Sequence, residues 1–313
     1  MIPQYDHKLG SYFTLYLENR LLEKGQAFTN TTGIFYPNDQ NNINGLTFSN
    51  SPYGQWVYDH SITGAIIPSG VYVNGEEVNR GTSGLSIDFL NGGAYHEDFG
   101  DSPVSGAFAY KDFNVYFKPE NETQVLLREA FRSKDPLNFL TGSNNLRINA
   151  PCIIVSSKNS SSEPLAFGGL DEVTYNLQTL VLTDNYYDLD GALSIFRDLR
   201  ENYFSVGDFE KIPWDFKGDL KDPEYSYNDI NAAFSGGYEK AYIDKVTINS
   251  TNSVDNEFSE FNIGYAEFSI IAYRFPRKWF TISQIKCINY YNPTFLKLWQ
   301  KEFKQDMKVL AYL

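Results

Sequence analysis

The strongest local signal in the sequence is Val71-Tyr72-Val73-Asn74-Gly75-Glu76-Glu77-Val78, where β-forming residues stand on both sides of an Asn-Gly pair. Asn-Gly accommodates two consecutive residues at positive φ, which favours a tight type I′ turn between antiparallel strands. The stretch therefore predicts a β-hairpin, and with it an antiparallel sheet in this part of the chain.

The residues around this hairpin also have the composition of a β-rich region. From Phe28 to Phe117 the chain is rich in Gly, Asn, Tyr, Thr and Ser, with turn residues about every 8–12 positions. Leu85 to Phe89 alternates apolar and polar residues, as a half-buried strand does. Turn residues follow at 91–93, and two further strands are predicted at 105–110 and 113–117.

An amphipathic helix is predicted before this region, at residues 8–24. Its apolar residues recur at three- and four-residue steps, which places them on one stripe of a helix. They are Leu9, Tyr12, Phe13, Tyr16, Leu17 and Leu21. Gly25 follows as a stop signal.

The second half of the chain mixes strands with one short helix. Strands are predicted at 152–155, 177–182, 242–248, 263–273 and 279–285. A helix is predicted at 189–199, with Asp188 or Asp190 near its N-terminus, where a carboxylate offsets the helix dipole. Residues 156–164 are predicted to be polar and flexible and 207–237 irregular, while 121–133 fit either a short helix or a strand.

Together these elements predict an α+β fold that is mainly antiparallel β, sandwich- or barrel-like, with the N-terminal helix and one or two further short helices. A chain of 313 residues suggests two domains. The polar stretch 133–150 is the predicted boundary. It separates a helix plus β-rich domain at 1–150 from a β-rich domain at 151–313 that contains a short helix and a basic C-terminal arm.

Aromatic content and charge distribution both bear on partners. Aromatic residues make up 16% of the chain, and such side chains favour sheet cores and protein contacts. The net charge of −13 argues against specific nucleic-acid recognition through phosphate contacts. Residues 201–270 carry fourteen Asp and Glu against five Lys, a net of −9, whereas residues 274–313 carry a net of +6. This asymmetry fits a solvated face or a plus-to-minus contact between neighbouring copies.

The sequence lacks the patterns of common catalytic and cofactor sites. His7, His60 and His96 are the three histidines, and a lone surface histidine is more often a bystander than a general base. The stretch 81–85, Gly-Thr-Ser-Gly-Leu, lacks the closing glycine of a nucleophile elbow. P-loop and Rossmann glycine patterns do not occur. We therefore expect no catalytic, cofactor-binding or metal-binding residues.

Residues 184–191 contain the acids of a calcium loop without their spacing. Tyr186 and Arg197 would occupy the first and last ligand positions, where carboxylates are required, so an EF-hand is excluded. Capping of the following helix is one reading of the acids here, and an irregular cation site is the other. Those acids are Asp184, Asp188 and Asp190.

Cysteine usage and hydropathy point to an ordinary cytoplasmic folding route. Cys152 and Cys287 are too few for a disulfide scaffold, and both are expected to be buried thiols. We expect no signal peptide, because no charged leader precedes an apolar run. No apolar run approaches the ~20 residues needed to span a bilayer.

A series of phrases occurs in a characteristic order along the first two thirds of the chain. They are Gly-Gln-Ala-Phe-Thr-Asn at 25–30, Gly-Val-Tyr-Val-Asn-Gly at 70–75, Asn-Arg-Gly-Thr-Ser-Gly-Leu-Ser-Ile-Asp at 79–88, Ser-Gly-Ala-Phe-Ala-Tyr-Lys-Asp-Phe-Asn-Val-Tyr at 105–116, Ala-Phe-Gly-Gly-Leu-Asp at 166–171 and Asp-Leu-Asp-Gly-Ala-Leu-Ser-Ile-Phe at 188–196. Over roughly residues 9–200, this order resembles uncharacterised virion structural proteins encoded by tailed phages.

The resemblance implies a structural subunit of a tailed-phage virion, of the kind that forms a neck, head–tail connector or tail completion ring. Such a subunit is made in the host cytoplasm and joins the virion. Its partners are other copies of itself, in a ring of six- or twelve-fold symmetry, and other virion proteins. It needs no enzymatic activity, no cofactor and no membrane.

The candidate assembly contacts lie on the predicted helix and in the basic C-terminal arm. They are Tyr12, Phe13, Tyr16, Arg274, Arg277, Lys278, Trp279, Lys297 and Trp299. Two alternatives stay open. One is a receptor- or glycan-binding tail or baseplate component, which the aromatic residues also suit. The other is a virion-associated glycan hydrolase, because the fold, and not sequence spacing, sets the geometry of paired carboxylates.

Overall fold

The computed structural model describes residues 5–37, 46–81, 84–97, 99, 102–118, 131–132, 148–166, 170–232, 239–251 and 261–274. The fold is α+β, and strands account for 50% of it. The strands are mostly antiparallel and form curled half-barrel sheets, accompanied by an N-terminal helix. The predicted fold class is confirmed.

Two of the three helices of the described residues agree with the sequence pattern, and the third, at Tyr227–Ala232, lies within residues 207–237, which were predicted to be irregular. They are α1 at Tyr5–Gly25, α2 at Tyr186–Arg197 and α3 at Tyr227–Ala232, with a 3-10 turn at Phe209–Lys211. The predicted helices at 8–24 and 189–199 correspond to α1 and α2, and the predicted stop at Gly25 is confirmed. The second helix begins earlier than predicted because Asn185 caps it.

The first sheet has seven strands from the N-terminal part of the chain. They are β1 at Phe28–Pro37, β2 at Thr47–Asn50, β3 at Gly70–Val73, β4 at Glu76–Asn79, β5 at Ser86–Asp88, β6 at Gly93–His96 and β7 at Val104–Lys111. Their order across the sheet is β4-β3-β7-β1-β2-β6-β5. The predicted hairpin is β3–β4, with φ of 53° at Asn74 and 83° at Gly75.

The second sheet has six strands. A separate pair of short parallel strands is formed by residues that lie between its first two strands in the sequence. The six are β8 at Asn114–Phe117, β11 at Cys152–Ala166, β12 at Leu170–Thr183, β13 at Tyr203–Val206, β14 at Glu239–Thr251 and β15 at Asn262–Arg274. Their order is β13-β14-β15-β12-β11-β8. The short pair is β9 at Phe131–Arg132 and β10 at Ile148–Asn149.

The strand β11 differs from its prediction. Only residues 152–155 were predicted as strand, with a flexible segment at 156–164, yet β11 runs unbroken to Ala166. Its residues 157–165 are exposed, so apolar burial does not hold them in place. The strand continues because its backbone lies next to β12 in the sheet, and a hydrogen-bonded ladder accepts polar side chains on solvated faces.

The helix α1 is buried far beyond the predicted apolar stripe. Phe13 packs against Phe268 of β15, with ring centroids 4.9 Å apart. Glu18, on another side of the helix, pairs with Lys111 of β7. Because α1 contacts strands of both sheets, polar residues such as Asn19 are buried along with the stripe.

The chain divides into two compact units. One contains residues 1–161 and 173–272, and the other contains residues 162–172 and 273–313. In the six-stranded sheet, β8 from the predicted N-terminal domain pairs with β11 from the predicted second domain. The division at residue 150 stays a prediction.

Some predicted elements lie outside the described residues. They are most of 121–133, most of 133–150, the strand at 279–285 and the segment 293–307. In the described part of the chain, no helix combines the length and apolar character needed to cross a membrane.

Candidate functional site

The aromatic contact residues predicted on α1 lie in the core. Tyr12, Phe13 and Tyr16 are buried, and the Tyr12 hydroxyl donates to the Asp208 carbonyl at 2.8 Å. The Tyr16 ring stacks on Phe204, with centroids 5.5 Å apart. Their contact with another chain would require α1 to leave this position, so that role stays a prediction.

The predicted contact residues at the C-terminal end are mostly beyond the described ranges. Arg274 is the last residue of β15 and is partly buried. The others lie outside the described residues, and their assembly role also stays a prediction. They are Arg277, Lys278, Trp279, Lys297 and Trp299.

The histidines and the described cysteine have structural surroundings. The His7 ring packs edge-on against Phe117, with centroids 4.9 Å apart, and the His96 ring stacks on Phe99 at 5.2 Å. His60 is exposed in a turn. Cys152 is buried, and this burial raises the pKa of its thiol, which disfavours the reactive thiolate. The prediction that Cys152 is a buried thiol is confirmed.

The acids singled out at 184–190 surround the start of α2, but the cap is Asn185. The Asn185 side chain accepts a hydrogen bond from the Asp188 backbone N–H at 2.8 Å and donates to the Asp188 carboxylate at 2.8 Å. This reciprocal arrangement satisfies one of the orphan amides of the helix start. Among the described residues, no group of three or more His, Cys, Asp or Glu is arranged to hold a metal ion.

A groove of about 660 Å³ lies between the end of α1, the β7–β8 turn and the start of α2. We call it the α2 groove. Its apolar lining comes from Leu21, Ala27, Phe113, Pro151, Ala192 and Ile195. Its acidic lining comes from Asp112, Asp184, Asp188 and Asp190, and no described lysine or arginine lines it.

Tyr187 contributes a largely exposed aromatic side chain to this groove. It is 86% exposed, although it lies in the first turn of α2 and lines the groove. A tyrosine ring offers apolar contact area and a face that attracts cations. The α2 groove therefore has the chemistry to hold a cationic group attached to an apolar or aromatic side chain.

A second groove, of about 400 Å³, lies on the six-stranded sheet, and we call it the sheet groove. Its polar lining comes from Lys158, Asn159, Asn176, Lys245, Thr247, Glu267 and Ser269. The Lys158 ammonium contacts the Glu267 carboxylate at 2.5 Å, and the Asn176 amide donates to Asn159 at 2.7 Å. These groups offer both donors and acceptors to a polar ligand.

A buried charge network joins α1 to the seven-stranded sheet. The Glu18 carboxylate accepts from the Lys111 ammonium and the Tyr58 hydroxyl, and the Lys111 ammonium lies 4.5 Å from the centroid of the Tyr58 ring. Burial lowers the pKa of Lys111, and Glu18 opposes that shift. Burial also raises the pKa of Tyr58. Every member is engaged inside the core, so the network joins α1 to the seven-stranded sheet and is closed to a ligand.

Asp59 is the centre of a second buried cluster. Its carboxylate accepts from the Asn19 amide at 3.0 Å, from the Ser61 hydroxyl at 2.7 Å and from the Tyr227 backbone N–H at 3.0 Å. It thereby ties α1 to the first residue of α3. Sequence reasoning missed this residue because Asn19 and Tyr227 lie 40 and 168 positions away.

A third cluster attaches the loop around residue 218 to the seven-stranded sheet. Arg80 contacts the Asp219 carboxylate at 2.7 Å, and the Phe89 backbone N–H donates to the Gly218 carbonyl at 3.1 Å. Nearby, burial raises the pKa of Asp88 to about 6, although its hydrogen bonds from Asn91 act in the opposite direction. These contacts hold the loop around residue 218 against the seven-stranded sheet.

Comparison with known proteins adds no family. No protein-family model matches the chain, and no curated protein matches it.

Proposed function

We propose that this chain is a non-enzymatic structural subunit of a tailed-phage virion, acting through protein–protein assembly in a neck, head–tail connector or tail completion ring. The observation that carries the proposal is the number of large apolar side chains left exposed beside a filled core. They include Ile34, Tyr72, Tyr186, Tyr187, Tyr203 and Phe216.

Some of these exposed side chains form groups, and grouping is what distinguishes contact surfaces from scattered surface residues. Ile34 of β1 and Tyr72 of β3 are both in register with Ser105 of the strand between them. The rings of Tyr203 and Tyr242 lie 4.9 Å apart on neighbouring strands. Aromatic side chains are enriched in the buried centres of protein interfaces, so these groups suit contacts with other chains.

The exposed part of β11 supports the same proposal. β11 has 15 residues and β12 has 14, whereas a common strand has about 5–6. The described pairing between β8 and β11 ends at Phe117 and Val155. Residues 157–165 of this strand are exposed, and exposed strand residues are available for contact with another chain.

The resemblance of residues 9–200 to virion structural proteins supports a place for this chain in a phage particle, at its neck or tail. The partners on this proposal are further copies of the chain, in a six- or twelve-fold ring, and other virion proteins. The net charge of −13 supports passage of DNA without specific recognition, since like charges repel.

The deciding experiment is a cryo-electron microscopy map of the purified particle, with peptide identification of its components. We expect several copies of this fold around the head–tail axis. Absence of the chain from purified particles would contradict the proposal. So would an isolated chain that stays monomeric at all concentrations and turns over a small substrate.

Glycan binding by a tail component is a second candidate, favoured by the sheet groove. Its amide, hydroxyl and charged groups match the donors and acceptors of a sugar. Saturation-transfer NMR with host surface glycans would test it. On this candidate, Asn176→Ala abolishes the transfer signal and Asn202→Ala, outside the groove, preserves it. No transfer to the unmodified chain would exclude glycan binding at this groove.

A further inference from the structure

We infer that the α2 groove binds the basic, aromatic C-terminal segment, residues 275–313, of a second copy of the chain. This inference rests on the proposed assembly function and names the contact through which copies join. The nature of the groove identifies the class of ligand, and the sequence identifies the segment that matches it.

The groove combines an apolar floor with a negative rim. Leu21, Phe113 and Ile195 contribute apolar surface, while Asp184 and Asp190 are exposed acids on the same groove. A volume of about 660 Å³ is within the usual range of about 300–1,000 Å³ for ligand pockets. It is large enough for a few side chains of an incoming peptide.

A bare metal ion does not match these residues. In the described part of the chain, no group of acids is arranged as a metal site. Asp188 is also engaged with Asn185 in the helix cap. The apolar floor and the exposed Tyr187 ring would be unused by an ion, whereas both are used by a peptide that carries cationic and aromatic side chains.

The C-terminal segment has the complementary chemistry. Residues 275–313 carry seven Lys and Arg against Glu302 and Asp306, a net charge of +5 in a chain whose total is −13. The segment also contains aromatic side chains at closely spaced positions, namely Phe275, Trp279, Phe280, Tyr290, Tyr291, Phe295, Trp299, Phe303 and Tyr312. Complementary charge favours encounter and correct pairing of such surfaces.

The arrangement also fits the symmetry of the proposed ring. A groove on one copy that takes a segment from the next is a head-to-tail interface, because the two partners contribute different surfaces. Repetition of such a contact produces a closed ring when the rotation between successive copies divides evenly into a full turn, as the proposed six- or twelve-fold ring requires. A plus-to-minus contact of this kind weakens as salt rises.

Isotope-mixed cross-linking of the full chain tests the contact directly. Light and heavy-isotope copies are mixed in equal amounts at high salt, returned to low salt and treated with a carbodiimide, which joins a carboxylate to a neighbouring lysine. We expect cross-links from Asp184 or Asp190 to lysines of 275–313, with half of them pairing a light with a heavy copy. Only same-isotope pairs, or links from this segment only to acids outside the groove, would overturn the inference.

A set of variants provides the second readout. Asp184→Asn/Asp190→Asn and Tyr187→Ser change exposed groove residues, and Glu224→Gln/Asp244→Asn changes exposed acids that do not line the groove. In sedimentation-velocity measurements we expect each groove variant to weaken self-association by about tenfold and the control to leave it unchanged.

The outcomes separate the two proposals. If the chain self-associates and the groove variants behave like the control, the groove contact is wrong and the assembly function stands. If the unmodified chain does not self-associate at any concentration, the assembly function itself is contradicted. Circular dichroism of each variant confirms that a loss of association is not a loss of fold.

Discussion

Two lysine–glutamate pairs in this protein have the same chemistry and opposite surroundings. Lys111 pairs with Glu18 in the core, where the two side chains are 1% and 6% exposed. Lys158 pairs with Glu267 at 2.5 Å on the six-stranded sheet, where the side chains are 51% and 45% exposed. Both pairs join distant parts of the chain, 93 and 109 residues apart.

Because the two pairs differ in burial, we expect the loss of one partner to cost more folding stability in the buried pair than in the exposed pair. An exposed pair gains little, because water and salt screen it and its long side chains lose freedom. In a buried pair, loss of one partner leaves the other charge without compensation in a poorly polarisable interior. Glu18 also accepts from the Tyr58 hydroxyl, so its removal affects two groups.

The largest effect should come from breaking the buried pair at one residue. We expect Glu18→Gln to lower the free energy of unfolding by about 3–5 kcal/mol, because Lys111 loses its anionic partner. Urea unfolding of the full chain measures this quantity. Glu267→Gln is the matched control, and equal losses in the two variants would contradict the role of burial.

Asp88 extends the comparison to a buried carboxylate that is held mainly by hydrogen bonds from amides. Its carboxylate accepts from the backbone N–H groups of Leu90 and Asn91, both at 3.0 Å, and burial raises its pKa from 3.8 to about 6. The folded state therefore holds the proton more tightly than the unfolded chain. The resulting stability is fully present below pH ~4 and is lost as the pH rises through about 6.

We expect the free energy of unfolding to fall by about 2–3 kcal/mol over this pH window through Asp88 alone, since one pKa unit corresponds to about 1.4 kcal/mol. Asp88→Asn should remove this contribution, because the amide does not titrate and its oxygen still accepts from Leu90 and Asn91. Urea unfolding between pH 4 and 7 gives the two profiles. Parallel profiles for the variant and the unmodified chain would rule out the shift.

Replacement of both buried partners sharpens the comparison further. We expect Glu18→Leu/Lys111→Met to be less destabilising than the sum of the single changes, by about 2 kcal/mol, because neither charge remains buried alone. A double-mutant cycle in urea measures this coupling. Full additivity of the two changes would show that the pair does not act as a unit.

The smallest effect should come from the exposed pair. We expect Lys158→Ala to change the free energy of unfolding by no more than about 0.5 kcal/mol, because both side chains are about half exposed. The measurement is repeated at low and high salt, since screening should remove even this small term. A loss that approaches that of Glu18→Gln would refute the comparison.

Elements that are specified by residues close together in the sequence were predicted well. The α1 helix follows from apolar spacing, and the β3–β4 hairpin follows from Asn74 and Gly75, which both take positive φ. The course of β11 beyond residue 155 was missed. Its Ser, Asn and Lys residues have no strand periodicity of their own, and its neighbour β12 in the sheet supplies the reason for the strand.

The candidate sites were predicted only in part. The acids around the start of α2 drew attention in the sequence, but their cap, Asn185, did not. The floor of the α2 groove joins Leu21, Phe113, Pro151 and Ile195 from distant parts of the chain, and no spacing rule connects them. The buried partners of Glu18 were equally invisible, because Tyr58 and Lys111 lie 40 and 93 residues away.

Local residue chemistry was sufficient to specify the fold class, the principal helices and the tight hairpin. Turn residues and side-chain periodicity act over a few neighbouring positions, and the linear order of residues records them completely. Tertiary structure alone decided which charges are buried, how α1 contacts both sheets and which residues line the α2 groove. Those outcomes depend on contacts between residues far apart in the chain, which exist only after the sheets and helices have packed.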